Sequence, residues 1–436
     1  MIVDFVFRGK TIINGRVVDS TIIIDNGVII GVHGPSYPIK SEVELNYSSR
    51  ASIIALPGAI DLHTHLRGLR LSYKEDEYTG TRAAAKGGFT VVVDMPNTLP
   101  PVNNKASALM KLEELSKNAI VDYGLYLGVP ENSEEVYKLL ELRDEIIGFK
   151  VYPQDYNKKT LAEVFEEAKK NNLLIIVHAE EPSLIKENPI PGYRWLTRTI
   201  EAELYAIERM GRIANKVGFP KIHITHITSS YAAHLAKMYG FSFDTAPHYL
   251  LLNSNTEKEK KALAKVNPPL RPEPIRFALL ENFKGGIIDA IATDHAPHTL
   301  EEKCKPFKDA PAGIPGLETT IPLLLTMFHR GWISLSTLSK VISEVPAEII
   351  GLNNAGKIAP GYIGNLTIVD LSREFIVKPE DFESKAKHTP FEKFKCRGKP
   401  IGSIVRGRIV YLDGEFHADR GYGINITKYH KYYKEG

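Results

Sequence analysis

The chain has 436 residues, an apolar content of 43% and a formal net charge of only +3. This length allows one large domain beside a smaller one, and the balanced charge excludes an electrostatic case for binding nucleic acid or an acidic membrane surface. The cysteines are Cys304 and Cys396, too few for a disulfide framework. Because the N-terminus does not look like a signal peptide and no apolar run is long enough to span a bilayer, we predict a cytoplasmic protein without a membrane partner.

The first part of the chain, residues 1–52, alternates apolar and polar positions and carries hairpin turns. Asn14-Gly15 and Asn26-Gly27 each stand between β-branched runs, which is the strongest short-range signal for a hairpin. We therefore predict a small antiparallel sheet in this part of the chain.

From about residue 53 the pattern changes to short apolar strands that alternate with amphipathic helices. The predicted strands are residues 53–63, 90–95, 121–129, 147–152, 173–178, 221–226, 241–246 and 287–293. The predicted helices between them include residues 75–86, 161–171, 197–217 and 230–238. Such a succession of strand–helix units is typical of a (β/α)8 barrel, so we predict the α/β class with a TIM barrel over residues 53–351.

After about residue 352 the pattern returns to short strands and turns. We predict that residues 352–436 pair with residues 1–52 as one small β-sandwich domain. The tail from Gly421, rich in Tyr and Lys, is predicted to pack loosely on the surface. Residues 306–315, which hold several Gly, Pro and Lys, are predicted to be a loop that shapes the mouth of the barrel.

Ligand-type residues stand at the ends of several predicted strands, and active sites of such barrels lie at the carboxyl ends of the strands. His63 and His65 are two apart, so both imidazoles face one side of a strand and could hold a divalent metal. Further candidates follow at the ends of other strands: Lys150, His178, His226 and Asp294. Their convergence on one mouth is hard to explain as packing, although His-x-His alone is a weak signal.

Each of these residues has a structural alternative. His178 alone could be a core histidine, and Asp294 could cap the next helix. His223 and His226 are three apart and face opposite sides of a strand, so one of them at most is a ligand. We choose His226, which lies nearer the strand end. Lys150 within an apolar strand would be costly to bury as an ammonium, so it either reaches solvent or is chemically altered.

Three more residues also keep alternatives. Arg67 could form a surface salt bridge, and Asn97 could be a turn residue before the prolines that follow it. His248 is interpreted as structural because nothing in its spacing demands a ligand.

Several motifs share the pattern of one protein family. They are Asp61-x-His63-x-His65-x-Arg67, Met95-Pro96-Asn97-Thr98, Gly148-Phe149-Lys150, Val177-His178-Ala179-Glu180, His226-Ile227-Thr228-Ser229, Asn267-Pro268-Pro269-Leu270-Arg271, Asp294-His295-Ala296-Pro297-His298 and Gly313-Ile314-Pro315-Gly316-Leu317-Glu318. Together they resemble the amidohydrolase superfamily and, within it, the dihydroorotases, over the whole chain. The last two motifs are the specific part, since hydantoinases and allantoinases share His-x-His and the lysine strand.

The resemblance implies a site with two Zn²⁺ ions. His63 and His65 would hold the more buried metal together with Asp294, and His178 and His226 would hold the other. Carbamylated Lys150 and a hydroxide would bridge the two. Some dihydroorotases carry Asp in place of this lysine, so the lysine favours the two-metal subtype.

The resemblance also implies roles for the side chains that surround the substrate. Asp294 would be both ligand and catalytic proton carrier, passing the hydroxide proton to the leaving ring nitrogen. Arg67, Asn97 and His298 would bind the substrate carboxylate, with the arginine as a fork. Asn267 would contact the ring.

The implied function is the reversible cyclisation of N-carbamoyl-L-aspartate to L-dihydroorotate in de novo pyrimidine (UMP) biosynthesis. The alternatives are another cyclic amidase, namely an allantoinase or a hydantoinase/dihydropyrimidinase, and a non-catalytic scaffold with the same barrel. The small-molecule substrate would be the main partner. A homo-oligomer and an association with aspartate carbamoyltransferase are left open.

Overall fold

The computed structural model of the chain describes residues 2–218 and 220–433. Two sheets hold the strands of these residues. In chain order the strands are β1 (Ile2–Ile13), β2 (Arg16–Asp25), β3 (Val28–His33), β4 (Lys40–Asn46), β5 (Ile53–Pro57), β6 (Ala59–Thr64), β7 (Phe89–Asp94), β8 (Asp122–Gly128), β9 (Gly148–Val151), β10 (Leu174–His178), β11 (Ile222–Thr225), β12 (Ser242–Thr245), β13 (Ala290–Ile291), β14 (Leu366–Ile376), β15 (Lys395–Val405), β16 (Arg408–Leu412) and β17 (Glu415–Phe416).

An eight-stranded parallel barrel runs from β6 to β13 in chain order. It closes where Thr64, at the end of β6, forms a parallel bridge with His295, which lies just after β13. The N–H of His65 donates to the carbonyl oxygen of His295 over 2.8 Å at the same seam. The predicted (β/α)8 barrel is confirmed.

Helices pack around the barrel, and their buried faces join the main apolar cluster. The α-helices of the described residues are α1 (Glu77–Gly87), α2 (Lys105–Asn118), α3 (Ser133–Leu140), α4 (Leu161–Lys170), α5 (Ile200–Val217), α6 (Ser230–Met238), α7 (Pro247–Leu251), α8 (Ser254–Lys260), α9 (Glu273–Lys284), α10 (Leu300–Lys303), α11 (Leu317–His329), α12 (Leu335–Ser339) and α13 (Val345–Ile349). In this part of the chain, no helix combines the length and the apolarity needed to cross a bilayer.

The helix ends follow local capping chemistry. α1 was expected to begin at residue 75 but begins two residues later, because the Asp76 carboxylate accepts the N–H of Thr79 in a capping box. It ends at Gly88, whose φ of 94° is the left-handed conformation that glycine adopts without strain.

The other sheet has nine strands and is built from both ends of the chain. β1, β2 and β3 are antiparallel neighbours, as predicted, whereas β4 pairs with β1 in parallel. β5 lies between β1 and β14 and so joins the N-terminal strands to the C-terminal ones. Apolar side chains from both halves, including Phe5, Ile24, Leu366 and Ile404, form one buried cluster. The sheet therefore encloses a core of its own beside the barrel.

The strand predicted at residues 53–63 is two strands in different sheets. β5 belongs to the nine-stranded sheet, and β6 is the first strand of the barrel. Gly58 separates them, and its N–H donates to the carbonyl oxygen of Asn365 over 2.8 Å. A Cβ at this position would lie 2.4 Å from Thr90 Oγ1 and 2.6 Å from Asn365 Cβ, so only glycine fits where the sheets meet.

The prediction that the tail packs loosely is wrong for its described residues. Ile426 and Tyr429 are fully buried and join the cluster of side chains that fills the barrel interior. The buried Asp122 carboxylate, at the start of β8, accepts the Ile424 N–H over 2.8 Å and the Tyr429 hydroxyl over 2.6 Å. The tail therefore covers the end of the barrel opposite the mouth.

The loop predicted at the mouth is ordered by two lysines. The Lys265 ammonium donates to the carbonyl oxygens of Phe307 and Ala310, each over 2.7 Å. The buried Lys303 ammonium donates to the carbonyl oxygens of Pro311 and Gly313, over 3.0 and 2.8 Å. Backbone carbonyl oxygens that accept hydrogen bonds from two lysine side chains give this loop a defined shape without regular secondary structure.

Candidate active site

A cavity of ≈ 340 Å³ opens at the carboxyl end of the barrel. Most of the predicted site residues line it, namely His63, His65, Arg67, Asn97, His178, His226, Asn267 and Asp294. Lys150 and His298 are buried beside it. The candidate ligands lie near the carboxyl end of a strand or shortly after it, so the parallel barrel brings them to one rim.

His63, His65 and Asp294 form the tightest cluster of ligand atoms in the cavity. The two Nε2 atoms of the histidines are 3.2 Å apart. The Oδ1 atom of Asp294 lies 3.4 Å from the first and 3.5 Å from the second. These three buried side chains could hold a metal ion, since each offers one ligand atom near the others.

Hydrogen bonds on the far side of both rings orient this pair. His63 Nδ1 is 2.6 Å from the Thr225 hydroxyl, which in turn donates to the buried Asp244 carboxylate over 3.1 Å. His65 Nδ1 is 2.6 Å from Asn97 Oδ1, an acceptor. Both Nδ1 atoms therefore carry the proton, and both Nε2 atoms keep a free lone pair that faces Asp294.

His178 and His226 form a second pair, with ring centroids 4.5 Å apart. His178 Nε2 lies 2.7 Å from Glu180 Oε2 and donates to it, which leaves Nδ1 as the free nitrogen. Although burial raises the pKa of Glu180, the Arg198 guanidinium and His178 hold it below its usual range, so this carboxylate is ionised. The backbone N–H of His226 donates to Asp244 Oδ1 over 2.6 Å.

Lys150 lies beneath these histidines with no exposed surface. Its Nζ has no hydrogen-bond partner among the described residues. Burial lowers the pKa of this lysine to about 7, against the opposing effect of Asp294, so a substantial fraction of the amine is uncharged at neutral pH. An uncharged, unpartnered amine at this position matches the chemistry needed for carbamylation by CO₂.

The electrostatics of the cluster favour neutral histidines and an aspartate that titrates near neutrality. Burial lowers the pKa of His63, His65 and His226 well below the ordinary value. Burial raises the pKa of Asp294 to about 6, while His248 and Lys150 oppose the shift. Neutral imidazoles are the form that binds metal, and an acid in this range can both accept and release a proton.

Arg67 brings a fixed positive charge to the cavity wall. It has a φ of 60°, and its Nε donates to the carbonyl oxygen of Pro297 over 3.3 Å. Its Nη2 is 3.3 Å from His298 Nε2, which also lies 3.1 Å from the carbonyl oxygen of Ala312. Burial, followed by the charges of Arg67 and Lys74, lowers the pKa of His298, so this ring is neutral.

Two amide side chains complete the predicted set. The Oδ1 atom of Asn97 is engaged by His65, so its amide N–H₂ is left for the cavity. The Oδ1 atom of Asn267 accepts a short hydrogen bond from the buried Arg194, which leaves its N–H₂ in the same way. Both residues therefore present donors rather than acceptors to a bound molecule.

The two histidines interpreted as structural occupy different surroundings. Both nitrogens of His223 are engaged, by Ser242 at 3.0 Å and by Asp244 at 2.7 Å, so it has none free for a metal. This supports the choice of His226 as the ligand. His248 is buried, its Nε2 has no hydrogen-bond partner in the described part of the chain, and burial lowers its pKa to about 4.

Several residues of the site escaped the analysis of the sequence. Tyr152 and Arg198 line the cavity, and Glu180 orients His178. Tyr152 and Glu180 each follow a candidate ligand by two positions, a spacing that puts side chains on one face of a strand and could have revealed them. Arg198 carries no such signal, because its place depends on how the loop before α5 folds back.

Comparisons with known proteins agree with this geometry. The sequence pattern described as "Amidohydrolase family" matches residues 54–410. A dihydroorotase of Methanothermobacter thermautotrophicus is 36% identical over 403 residues, which are 90% of this chain and 91% of the relative. A dihydroorotase of Pyrobaculum aerophilum is 37% identical over 367 residues, or 84% and 89% of the two chains.

A solved structure shares the fold. The L-hydantoinase (dihydropyrimidinase) from Arthrobacter aurescens superposes with a TM-score of 0.90 over 97% of this chain and 99% of that chain, at 24% identity. From the barrel, the converging ligand set and these similarities, we conclude that the chain belongs to the amidohydrolase family and is a cyclic amide hydrolase.

Proposed function

We propose that the chain is a dihydroorotase, which closes N-carbamoyl-L-aspartate to L-dihydroorotate with loss of water and catalyses the reverse reaction. The observation that carries this proposal is the meeting, in one cavity, of the His63–His65–Asp294 cluster with the guanidinium of Arg67. Hydrolysis of a cyclic amide needs an activated water, which a metal held by the cluster could supply. A substrate carboxylate needs a fixed positive charge, which the guanidinium of Arg67 supplies. The sequence similarity to curated dihydroorotases over most of the chain supports dihydroorotate as the substrate.

The residues present suit a pair of divalent cations, which we propose to be zinc. His63, His65 and Asp294 would hold one, His178 and His226 would hold the other, and carbamylated Lys150 would serve as a further ligand. The buried Lys150 amine, which has no partner among the residues that the structure describes, is the observation that favours this arrangement, since carbamylation would convert it into a metal-ligating carboxylate. When bound, the cations would lower the pKa of a water toward about 7 and polarise the amide carbonyl.

Asp294 would move the proton in the hydrolytic direction. Its Oδ1 faces the two Nε2 atoms of His63 and His65, so the carboxylate lies beside the proposed metal site. It would accept the proton of the attacking water and deliver it to the ring nitrogen as the amide C–N bond breaks. In the direction of ring closure, it would take the proton from the ureido nitrogen.

The opposite wall would orient the substrate. Arg67 would bind the carboxylate, with the neighbouring His298 as a further contact and the amide N–H₂ of Asn97 as a further donor. Asn267, whose oxygen is held by Arg194, would donate to a ring carbonyl. These contacts would place the amide carbon over the ligand cluster and hold the ring in one orientation.

The experiment is a comparison of substrates on the purified protein. We expect stoichiometric zinc and a kcat/KM for dihydroorotate at least about a hundredfold above those for hydantoin and allantoin, because only dihydroorotate offers the carboxylate. Comparable turnover of hydantoin or allantoin would move the protein to that class of cyclic amidase. A protein without stoichiometric metal and without turnover would instead be a scaffold.

The remaining expectations stay predictions. They concern a role in pyrimidine biosynthesis, a homo-oligomer, association with aspartate carbamoyltransferase and a cytoplasmic location.

A further inference from the structure

Tyr152 lies in the wall of the cavity, outside the proposed set of metal ligands and substrate-binding residues. It follows Lys150 by two positions and comes directly after the last residue of β9, so both side chains face the barrel interior. The Lys150 Nζ lies 5.2 Å from the centroid of the Tyr152 ring, which lines the cavity. The backbone is fixed at this point, because the Tyr152 N–H donates to Asp155 Oδ2 over 3.0 Å.

The hydroxyl of Tyr152 is buried and has no hydrogen-bond partner among the described residues. Two other tyrosines around the barrel are satisfied: the hydroxyl of Tyr156 donates to the carbonyl oxygen of His178 over 2.7 Å, and that of Tyr249 to the carbonyl oxygen of Pro268 over 2.8 Å. A buried donor without a partner costs folding free energy, so its presence in a cavity wall points to a ligand that supplies the acceptor.

The charges around the hydroxyl indicate what kind of acceptor this is. The Tyr152 phenol is an O–H donor, and it lines the same cavity as the positively charged Arg67 guanidinium. An anion bound by this guanidinium would therefore come within reach of the hydroxyl.

We propose that the Tyr152 hydroxyl donates to the substrate carboxylate beside Arg67, and that it helps the site to select cyclic amides that carry a carboxylate. This rests on the proposed function, because it requires a carboxylated ring as substrate. A hydrogen bond to a charged group discriminates more strongly than a neutral one, so the hydroxyl adds selectivity that the arginine alone would not provide.

The test uses Tyr152→Phe and two ligands that share a ring, orotate with the carboxylate and uracil without it. We expect the Kd of orotate, measured by calorimetry, to rise at least about tenfold in the variant, while inhibition by uracil is unchanged. The KM for dihydroorotate should rise by a similar factor, with kcat within about twofold, and the melting temperature should not fall, since no protein hydrogen bond is lost.

Tyr126→Phe is the matched control, because its buried hydroxyl also lacks a partner among the described residues but does not line the cavity. It should leave orotate binding unchanged. Unaltered orotate binding in Tyr152→Phe, or an equal loss for orotate and uracil, would overturn the proposal. Wild-type protein that binds orotate but does not turn over dihydroorotate would refute the proposed function and leave the binding test of Tyr152 intact.

Discussion

The chemistry of the site depends on which nitrogen of each histidine is free. Thr225 and Asn97 occupy the Nδ1 side of His63 and His65, and Glu180 occupies the Nε2 side of His178. The free nitrogens consequently face the centre of the cavity as neutral lone pairs. A site arranged in this way could bind a metal without having to reorient its rings, so the residues behind the proposed ligands would contribute to its affinity.

Asp294→Asn tests the proton carrier. The amide is nearly the same size but cannot accept a proton at neutral pH, so we expect kcat to fall by at least about a thousandfold. Circular dichroism and the melting temperature should stay close to those of the wild type. Substantial residual turnover would remove Asp294 from this role.

Thr225→Val tests the support behind His63. The variant keeps the shape of the side chain but cuts the hydrogen-bonded chain from His63 to Asp244, so zinc affinity should fall by roughly ten- to a hundredfold. Competition with a chromophoric chelator measures the change. Ser242→Ala, which removes a contact to the non-ligand His223, should leave the affinity unchanged. Equal zinc affinities in the two variants would show that the hydrogen-bonded chain from His63 to Asp244 does not support metal binding.

At the scale of elements, a buried ion cluster holds the strand end that carries Arg67. The ammonium of Lys111, on α2, donates to the carbonyl oxygen of Arg67 over 3.0 Å and lies 2.8 Å from Asp94 Oδ2 at the end of β7. It also forms a short ion pair with Glu77, in the first turn of α1. Several elements are thus joined behind one residue of the cavity wall, at a backbone position with positive φ.

Lys111→Met tests this cluster. The change leaves the carboxylates of Asp94 and Glu77 buried without their cation, so the free energy of unfolding should fall by about 3–5 kcal/mol. Chemical denaturation measures it. Lys117→Met, on the same helix but in an exposed pair with Glu113, should cost no more than about 1 kcal/mol. Similar losses in the two variants would show that the cluster does not stabilise the fold.

At the scale of the whole molecule, the C-terminal part of the chain reaches the mouth of the barrel. Between β14 and β15, Ser384 and the N–H of Lys385 bind the carboxylate of Glu75, in the loop after β6. His388 Nε2 donates to the carbonyl oxygen of His298 over 3.1 Å. The two mouth loops that carry Glu75 and His298 therefore bind to one segment of the nine-stranded sheet's C-terminal half. These hydrogen bonds connect that sheet to the cavity.

His388→Gln tests this connection through pH. Burial, helped by the charge of Lys303, lowers the pKa of His388 from 6.5 to about 4. Between these values the unfolded chain binds a proton that the folded chain does not, so stability is lost as the pH falls through this window, by up to about 3 kcal/mol. Glutamine keeps an N–H donor without the titration. The melting temperature of the wild type should therefore fall more steeply than that of the variant between pH 6.5 and 4; parallel curves would rule out His388 as a contributor.

Local chemistry determined a large part of this protein. The turns at Asn14-Gly15 and Asn26-Gly27 have the positive φ values that their residues favour, and alternating apolar strands and helices led to the barrel. The candidate ligands could be named because strand ends of a parallel barrel share one rim, and ten residues from distant parts of the chain meet at or beside the cavity. These properties depend on residues close in sequence or on one topological rule.

Tertiary structure alone decided the rest. The apolar run around Pro57 has the pattern of one strand, yet its two halves belong to different sheets. The first half, β5, pairs with β14, and the second half, β6, pairs with β7. The tail is polar enough to look exposed, but a buried Asp122 provides acceptors for it. Arg198 became a site residue only because the loop before α5 folds back to the cavity. Each of these outcomes is set by a contact between residues distant in sequence, and no local pattern records the partner of such a contact.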